Sequence, residues 1–98
     1  GDPNVWLERP WRGNYREFKV GSCKGIYQTV NNEYQILAVH NSQGGNGHFS
    51  KVLEWFEKSC QREKYNLAFL EIGNPKLLKK LKTLGFQGDA SKMIKKYA

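Results

Sequence analysis

The chain has 98 residues, 39% hydrophobic, with thirteen aromatics, so it has room for a single domain (1–98) around one modest core and is too apolar for a disordered tail. No apolar run approaches the ~20 residues that a membrane-spanning helix needs, and the polar start, broken by Pro3 and Pro10, carries no leader pattern. A formal charge of +7 favours polyanionic partners, whether a phosphorylated cofactor, an acidic protein or nucleic acid.

Two cysteines, Cys23 and Cys60, make no disulfide framework. With His40 and His48 they fit no zinc-ligand spacing, so no metal site is expected. A reduced, cytoplasmic setting is the default expectation from cysteine usage, and no membrane partner is expected.

Residues 1–14 form a short irregular segment in which "VWLER" fits a strand, while Trp6 and Trp11 read as core or edge packing. From Tyr15 the runs "YREFKV", "IYQTV" and "EYQILAVH", separated by "GSCKG" and Asn31-Asn32, predict an antiparallel meander. The continuous apolar run Ile36 to Val39 predicts a central strand covered on both faces. The spacing of Phe49, Val52, Leu53, Phe56 and Cys60 predicts a helix over about 49–62, with Cys60 a small core residue and Trp55 covering a neighbouring element. "YNLAFLEI" reads as a buried strand. In "NPKLLKKLKTLG", Asn74 suits an N-cap, Pro75 the first helical position and Gly85 the C-terminal cap, with Leu77, Leu78, Leu81 and Leu84 facing inward. "SKMIKKY" predicts a closing strand with a charged edge. A helix joining two buried strands is what a parallel crossover requires, so the fold class is α+β with a mixed sheet.

Between the strand ending at Val39 and the helix starting near Phe49 lies "NSQGGNGH". The first amides of a helix lack internal acceptors and carry the positive end of the macrodipole, and glycines let a backbone approach an anion closely. A pyrophosphate would meet several N–H donors there. The loop lacks the Gly-Lys-Ser/Thr ending of a P-loop, and Ser50 stands where a dinucleotide fingerprint needs its third glycine. A tight connection with no ligand is the plain alternative. The stretch 76–98 holds seven lysines against one acid, Asp89. That is a polyanion surface or simply a solvated face.

The stretch "EYQILAVHNSQGGNGHFSKVLEWF" resembles the central motif of the GNAT superfamily of N-acetyltransferases. Val39-His40-Asn41 falls on the family's Val-His-Pro, and Gly45 and Gly47 fall on the glycines of its Arg-Gly-x-Gly run. "LEIGNPKLLKKLKTLGF" is similar to the second motif through Asn74 and Leu84-Gly85-Phe86, and the resemblance runs from about Glu33 to Tyr97. It implies a mostly antiparallel mixed sheet with a central βαβ crossover and two main helices. It also implies acetyl-CoA, or another acyl-CoA, as the cofactor. The pyrophosphate would lie on the amides of Gly45, Asn46, Gly47, His48 and Phe49, and the pantetheine arm would run between strands ending near Val39 and Ile72, close to Asn74. The implied reaction is direct transfer of an acetyl group to an amine, with Glu33 at the position of a catalytic base in some members. The plainer reading of Glu33 is an exposed turn residue.

The departures are specific. Gly44 stands where the family prefers Arg or Gln, Phe49 replaces a small residue, and Leu81 occupies the position of the general-acid Tyr. The N-terminal helices that usually build the acceptor site have little room in the 14 residues before the first clear strand. Two functions follow. One is a minimal acetyltransferase acting on an amine, such as a lysine or N-terminus of a protein, with a homodimer as one way to supply the missing wall. The other is a non-catalytic GNAT-fold protein whose basic C-terminal face binds an acidic protein or nucleic acid. Nucleic acid is the less favoured, because the tail has no interleaved aromatics beyond Tyr97.

Overall fold

The computed structural model describes residues 5–44 and 47–97. Tight turns set the first half. β1 (Leu7–Pro10), β2 (Arg16–Val20), β3 (Cys23–Val30) and β4 (Glu33–Asn41) pair consecutively and antiparallel. Asn31 and Asn32, at φ 50° and 60°, turn β3 into β4. Asparagine tolerates the two positive φ angles that such a two-residue hairpin turn needs. The β2–β3 turn is shorter than "GSCKG" implies: only Gly21 (φ 56°) and Ser22 turn, and Cys23 already pairs with Val20.

α1 (His48–Glu63) then carries the chain back, so that β5 (Asn66–Leu70) lies parallel to β4. α2 (Pro75–Thr83), β6 (Gln87–Asp89) and β7 (Lys92–Lys96) complete the described chain. Among the described residues the strand order is β1-β2-β3-β4-β5-β7-β6, with every neighbouring pair antiparallel except β4 and β5. The α+β class, the mixed sheet and the two helices agree with the sequence reading.

Both helices pack on one face. Val52, Leu53, Phe56 and Cys60 of α1 and Leu81 of α2 are buried, along with Phe18, Tyr27, Ile36, Leu67, Phe69 and Met93 of the sheet. Phe56 is at the centre: its ring lies edge-on to Trp6, Phe18, Tyr27, Tyr34 and Trp55. Burying such a ring contributes roughly 1.5–3 kcal/mol. Trp55 covers the N-terminal segment, stacking on Trp6 at 3.9 Å between ring centres and 1° between planes. Trp11 instead sits at the edge, half exposed against Tyr15.

Four expectations need correction. The run Ile36 to Val39 is not covered on both faces: Ile36 is buried, but Ala38 is exposed. Tyr27 pairs with Ile36 and Ile26 with Ala38, so Leu37 is an extra residue, a β-bulge that re-aims the strand beyond it. β7 is not the charged edge, since β6 pairs along it and takes that place. Leu84 is 39% exposed because it caps α2, one step beyond the inward stripe. Glu33 is no exposed turn residue. It is the first residue of β4, 8% exposed, and its carboxylate accepts from Gln35 Nε2 at 2.8 Å and pairs with Lys92 Nζ at 2.8 Å.

Candidate functional site

The ladder between β4 and β5 is short. It runs from Glu33↔Asn66 to Ile36↔Phe69 and stops, although β4 continues five residues further, to Asn41. The bulge at Leu37 lies just where the pairing ends. β4 stays paired with β3 beyond that point, and β5 gives way to Glu71 and Ile72, which bond instead to the β6–β7 turn. Glu71 N–H donates to Ser91 O at 3.0 Å and Ile72 N–H to Ala90 O at 2.7 Å. Glu71 has φ 51°, a left-handed conformation that costs a non-glycine residue on the order of 1 kcal/mol and is held here by those two bonds.

The diverging strands leave a cleft of about 220 Å³. Ile36, Leu37, Ala38 and Val39 form one wall, Phe69 to Asn74 the other, and Leu77 of α2 closes the helix side. The lining is mostly apolar, with the main chain of β4 exposed along it. Among the described residues, no strand pairs with β4 on this side beyond Ile36. Its amide and carbonyl groups there are placed to bond an extended, amide-bearing chain.

α1 begins beside this cleft. Phe49, in its first turn, packs on Phe69 at 6.4 Å between ring centres, and Lys80 Nζ lies 5.0 Å from the Phe49 ring. Gly47 is the N-cap, at φ 80°; it offers no side-chain acceptor, and no acidic residue stands in the first turn. The helix N-terminus therefore keeps its partial positive charge uncompensated by a cap. Gly45 and Asn46 lie outside the described residues.

The side chain of His48 is committed elsewhere. Its Nδ1 accepts from the backbone N–H of Ser22 at 2.9 Å and lies 2.8 Å from Ser22 Oγ. The ring lies so close over the β2–β3 turn that a Cβ on Gly21 would meet it at 2.3 Å. Asn74 caps α2, its Oδ1 accepting from the N–H of Lys76 at 2.9 Å and of Leu77 at 3.4 Å, while the residue also lines the cleft. Leu81 is wholly buried and Leu77, one turn earlier, reaches the cleft.

Val39, Phe49 and Asn74 thus gather around the cleft, with Gly47 and His48 at the α1 terminus beside it. Glu33 does not join them. It faces away from the helices at the start of β4, roughly 13 Å along the strand from Leu37, linked through Gln35 to Gln28 (Nε2 to Oε1, 3.1 Å). A second hollow of about 240 Å³ lies on the helix-free face of the sheet, where Trp11, Glu17, Ile26 and His40 surround Ala38 and Val39. It shares those last two residues with the cleft.

The basic residues of 76–98 are partly engaged. Lys92 pairs with Glu33, and Lys95 pairs with Glu57 at 3.5 Å and donates to Leu84 O at 3.0 Å. The thiols of Cys23 and Cys60 are buried and free of disulfides, and burial pushes them up to about 11 and about 12, with Glu57 adding to the shift at Cys60. Neither has the character of a nucleophile. Among the described residues no helix is long and apolar enough to cross a membrane.

Sequence reasoning missed Ser22, Glu71 and Leu77. Leu77 carried a usable signal, since it sits one turn ahead of Leu81 on the same stripe. Ser22 and Glu71 carried none, because each is defined by bonds to residues far along the chain. Compared with known proteins, the sequence matches no family model, and no curated protein matches it.

Proposed function

We propose that this chain is a GNAT-like acyl-CoA-binding protein that transfers an acetyl group from acetyl-CoA to an amine. The observation that carries the reading is the parting of β4 and β5 after Ile36↔Phe69, directly beside the uncapped start of α1. A narrow apolar cleft with an unpaired strand edge suits a pantetheine arm, whose two amides complete the ladder that β5 abandons. The pyrophosphate then rests on the first amides of α1 (Gly47, His48 and Phe49, with Gly45 and Asn46 ahead of them), where the helix terminus favours an anion. Val39 and Asn74 flank the arm.

The thioester would lie by Leu37 and Ala38, and the hollow on the opposite face, which shares Ala38 and Val39, gives an amine its approach. Catalysis in this arrangement is chiefly proximity: holding amine and thioester in register removes much of the entropic barrier. Leu81 offers no proton, and a missing general acid typically costs about 10²–10⁴-fold. A thiolate leaving group tolerates that loss better than an alkoxide. Glu33, about 13 Å along the strand and paired with Lys92, would not reach the amine, whose proton would pass to solvent water.

A second reading rests on α2. Lys76, Lys79 and Lys82 have no ion-pair partner among the described residues and form an exposed basic strip suited to an acidic protein or nucleic acid. It is the weaker, because Lys92 and Lys95 are committed to acids within the fold.

The test is a titration of acetyl-CoA into isotope-labelled protein, followed by backbone amide shifts. Saturable shifts at Val39, Gly47 to Phe49 and Ile72 to Asn74 support the cofactor site. Unmoved amides there at millimolar ligand sink the acyltransferase reading and leave the α2 strip.

A further inference from the structure

One residue outside the glycine-rich loop binds both of its ends. Ser22, in the β2–β3 turn, donates its hydroxyl to Asn41 Oδ1 at 2.6 Å, at the last position of β4. Its backbone N–H donates to Nδ1 of His48, the first residue of α1, at 2.9 Å, with the hydroxyl 2.8 Å from the same nitrogen. Its carbonyl accepts from the N–H of Ser42 at 3.1 Å. Among the described residues, all three polar groups of Ser22 bond at the two points where the loop leaves the sheet and enters the helix.

The arrangement fixes the proton positions. A backbone N–H can only donate, so His48 Nδ1 is an acceptor and its ring proton sits on Nε2. With that nitrogen already served by the amide, the single hydroxyl hydrogen goes to Asn41 Oδ1. Gly21 makes the contact geometrically feasible twice over. Its φ of 56° suits glycine, and the imidazole occupies the space where any Cβ would stand.

The hydrophobic cluster joins β2, β3, β4 and α1 through apolar side chains. What Ser22 adds is a fixed distance and direction between the end of β4 and the first turn of α1. That relation determines whether cleft and helix terminus can serve one extended ligand together.

We propose that Ser22 is a positioning residue for the anion-binding end of the site: it sets the affinity for the phosphate-bearing part of the cofactor by clamping Asn41 and His48, without touching the cofactor itself. This rests on the acyl-CoA reading above. It predicts that Ser22→Ala, which removes the hydroxyl bond to Asn41 and keeps the backbone bond to His48, weakens acetyl-CoA binding by about three- to tenfold, the consequence of losing one hydrogen bond that pre-organises the turn. Ser22→Thr, which keeps the hydroxyl, stays within about twofold of the wild type, because the clamp survives.

The experiment is calorimetric titration of acetyl-CoA into the full chain and the two variants, with a thermal melt of each. An effect on the cofactor's affinity that Thr restores, while both variants melt close to the wild type, is the expected result. A merely structural role would lower the melting temperature of Ser22→Ala and leave the affinity of the folded protein unchanged. If Ser22→Ala fails to fold, Asn41→Ala, which breaks the same bond from its other side, is titrated instead, and an unchanged affinity there overturns the proposal. If the wild type itself does not bind acetyl-CoA, the acyl-CoA reading falls and takes this role with it. If the wild type binds and Ser22→Ala binds equally well, only the role of Ser22 falls.

Discussion

Replacing Gly25 with alanine would put one methyl group into a space that two other groups already fill. Gly25 pairs with Phe18 on β2 and with Val39 on β4. A Cβ there would stand 2.2 Å from the carbonyl oxygen of Ala38 and 2.5 Å from the tip of the Phe18 ring. Both contacts are roughly 1 Å or more inside van der Waals distance. Neither neighbour can yield cheaply. Phe18 is wholly buried, stacked on Trp6 and edge-on to Phe56, and the Ala38 carbonyl belongs to the strand just past the bulge. Overpacking typically costs 1–3 kcal/mol, and two rigid walls put this site at about 2–3 kcal/mol. For a domain of this size that is a fall in melting temperature of about 10–20 °C. Near-UV circular dichroism, which reports the packed tryptophans, follows the transition. Ala38 also lines the cleft, so on the proposed acyl-CoA reading Gly25→Ala should weaken acetyl-CoA binding as well. A variant melting within about 3 °C of the wild type would mean that the Ala38 carbonyl does not cross Gly25, and the account of β4 after Leu37 would have to be abandoned.

Glu8 predicts a pH dependence. Burial opposes its ionisation, but the bonds from Trp6 Nε1 (2.8 Å), Arg16 and the Tyr27 hydroxyl outweigh it and hold the carboxyl below the ordinary 4.5. A carboxyl depressed in the folded state contributes stability that is full above its unfolded pKa and lost as pH falls through the folded one. Urea melts at pH 7 and pH 3 should therefore show a smaller acid loss in Glu8→Gln than in the wild type; equal losses would refute the assignment. The raised thiols of Cys23 and Cys60 predict that neither is alkylated by iodoacetamide at pH 8 until the protein unfolds, which mass spectrometry across a urea series would show.

The helices were legible because their signals are local. Asn74 and Pro75 act within one turn of themselves, and the α1 stripe needs only a period, so the observed bounds of α1 differ from the expected ones by one residue at each end. The parallel crossover followed from the order of elements. The bulge at Leu37 was hidden, because the apolar run Ile36 to Val39 looks the same with or without an extra residue and the register is decided by Ile26 and Tyr27 on another strand. β6 was missed for a related reason: "QGD" has no strand propensity, and pairing with Lys92 to Ile94 alone makes it a strand. Glu33 read as exposed because it follows a turn, yet Lys92, 59 positions later in the sequence, draws it into the sheet. Of the candidate site, the helix start just after Gly47 could be read directly. The parting of the strands could be reached only through the family resemblance, since it is an absence of pairing and an absence leaves no residue pattern.

The parallel ladder between β4 and β5 also joins two antiparallel packets of the sheet. β1 to β4 form one antiparallel packet and β5, β7 and β6 another, and four residue pairs join them. α1 lies across the join like a splint, since it packs against β2, β3, β4 and β5 alike. This join is the parallel ladder of the sheet, and it leaves the last five residues of β4 without a strand on that side among the described residues. A molecule wedged between Leu37 to Val39 and Glu71 to Gly73, bonded to both strands, would act as a rivet through that join. Filling the cleft would in this way extend the contact between the two packets beyond the four pairs that the chain makes by itself.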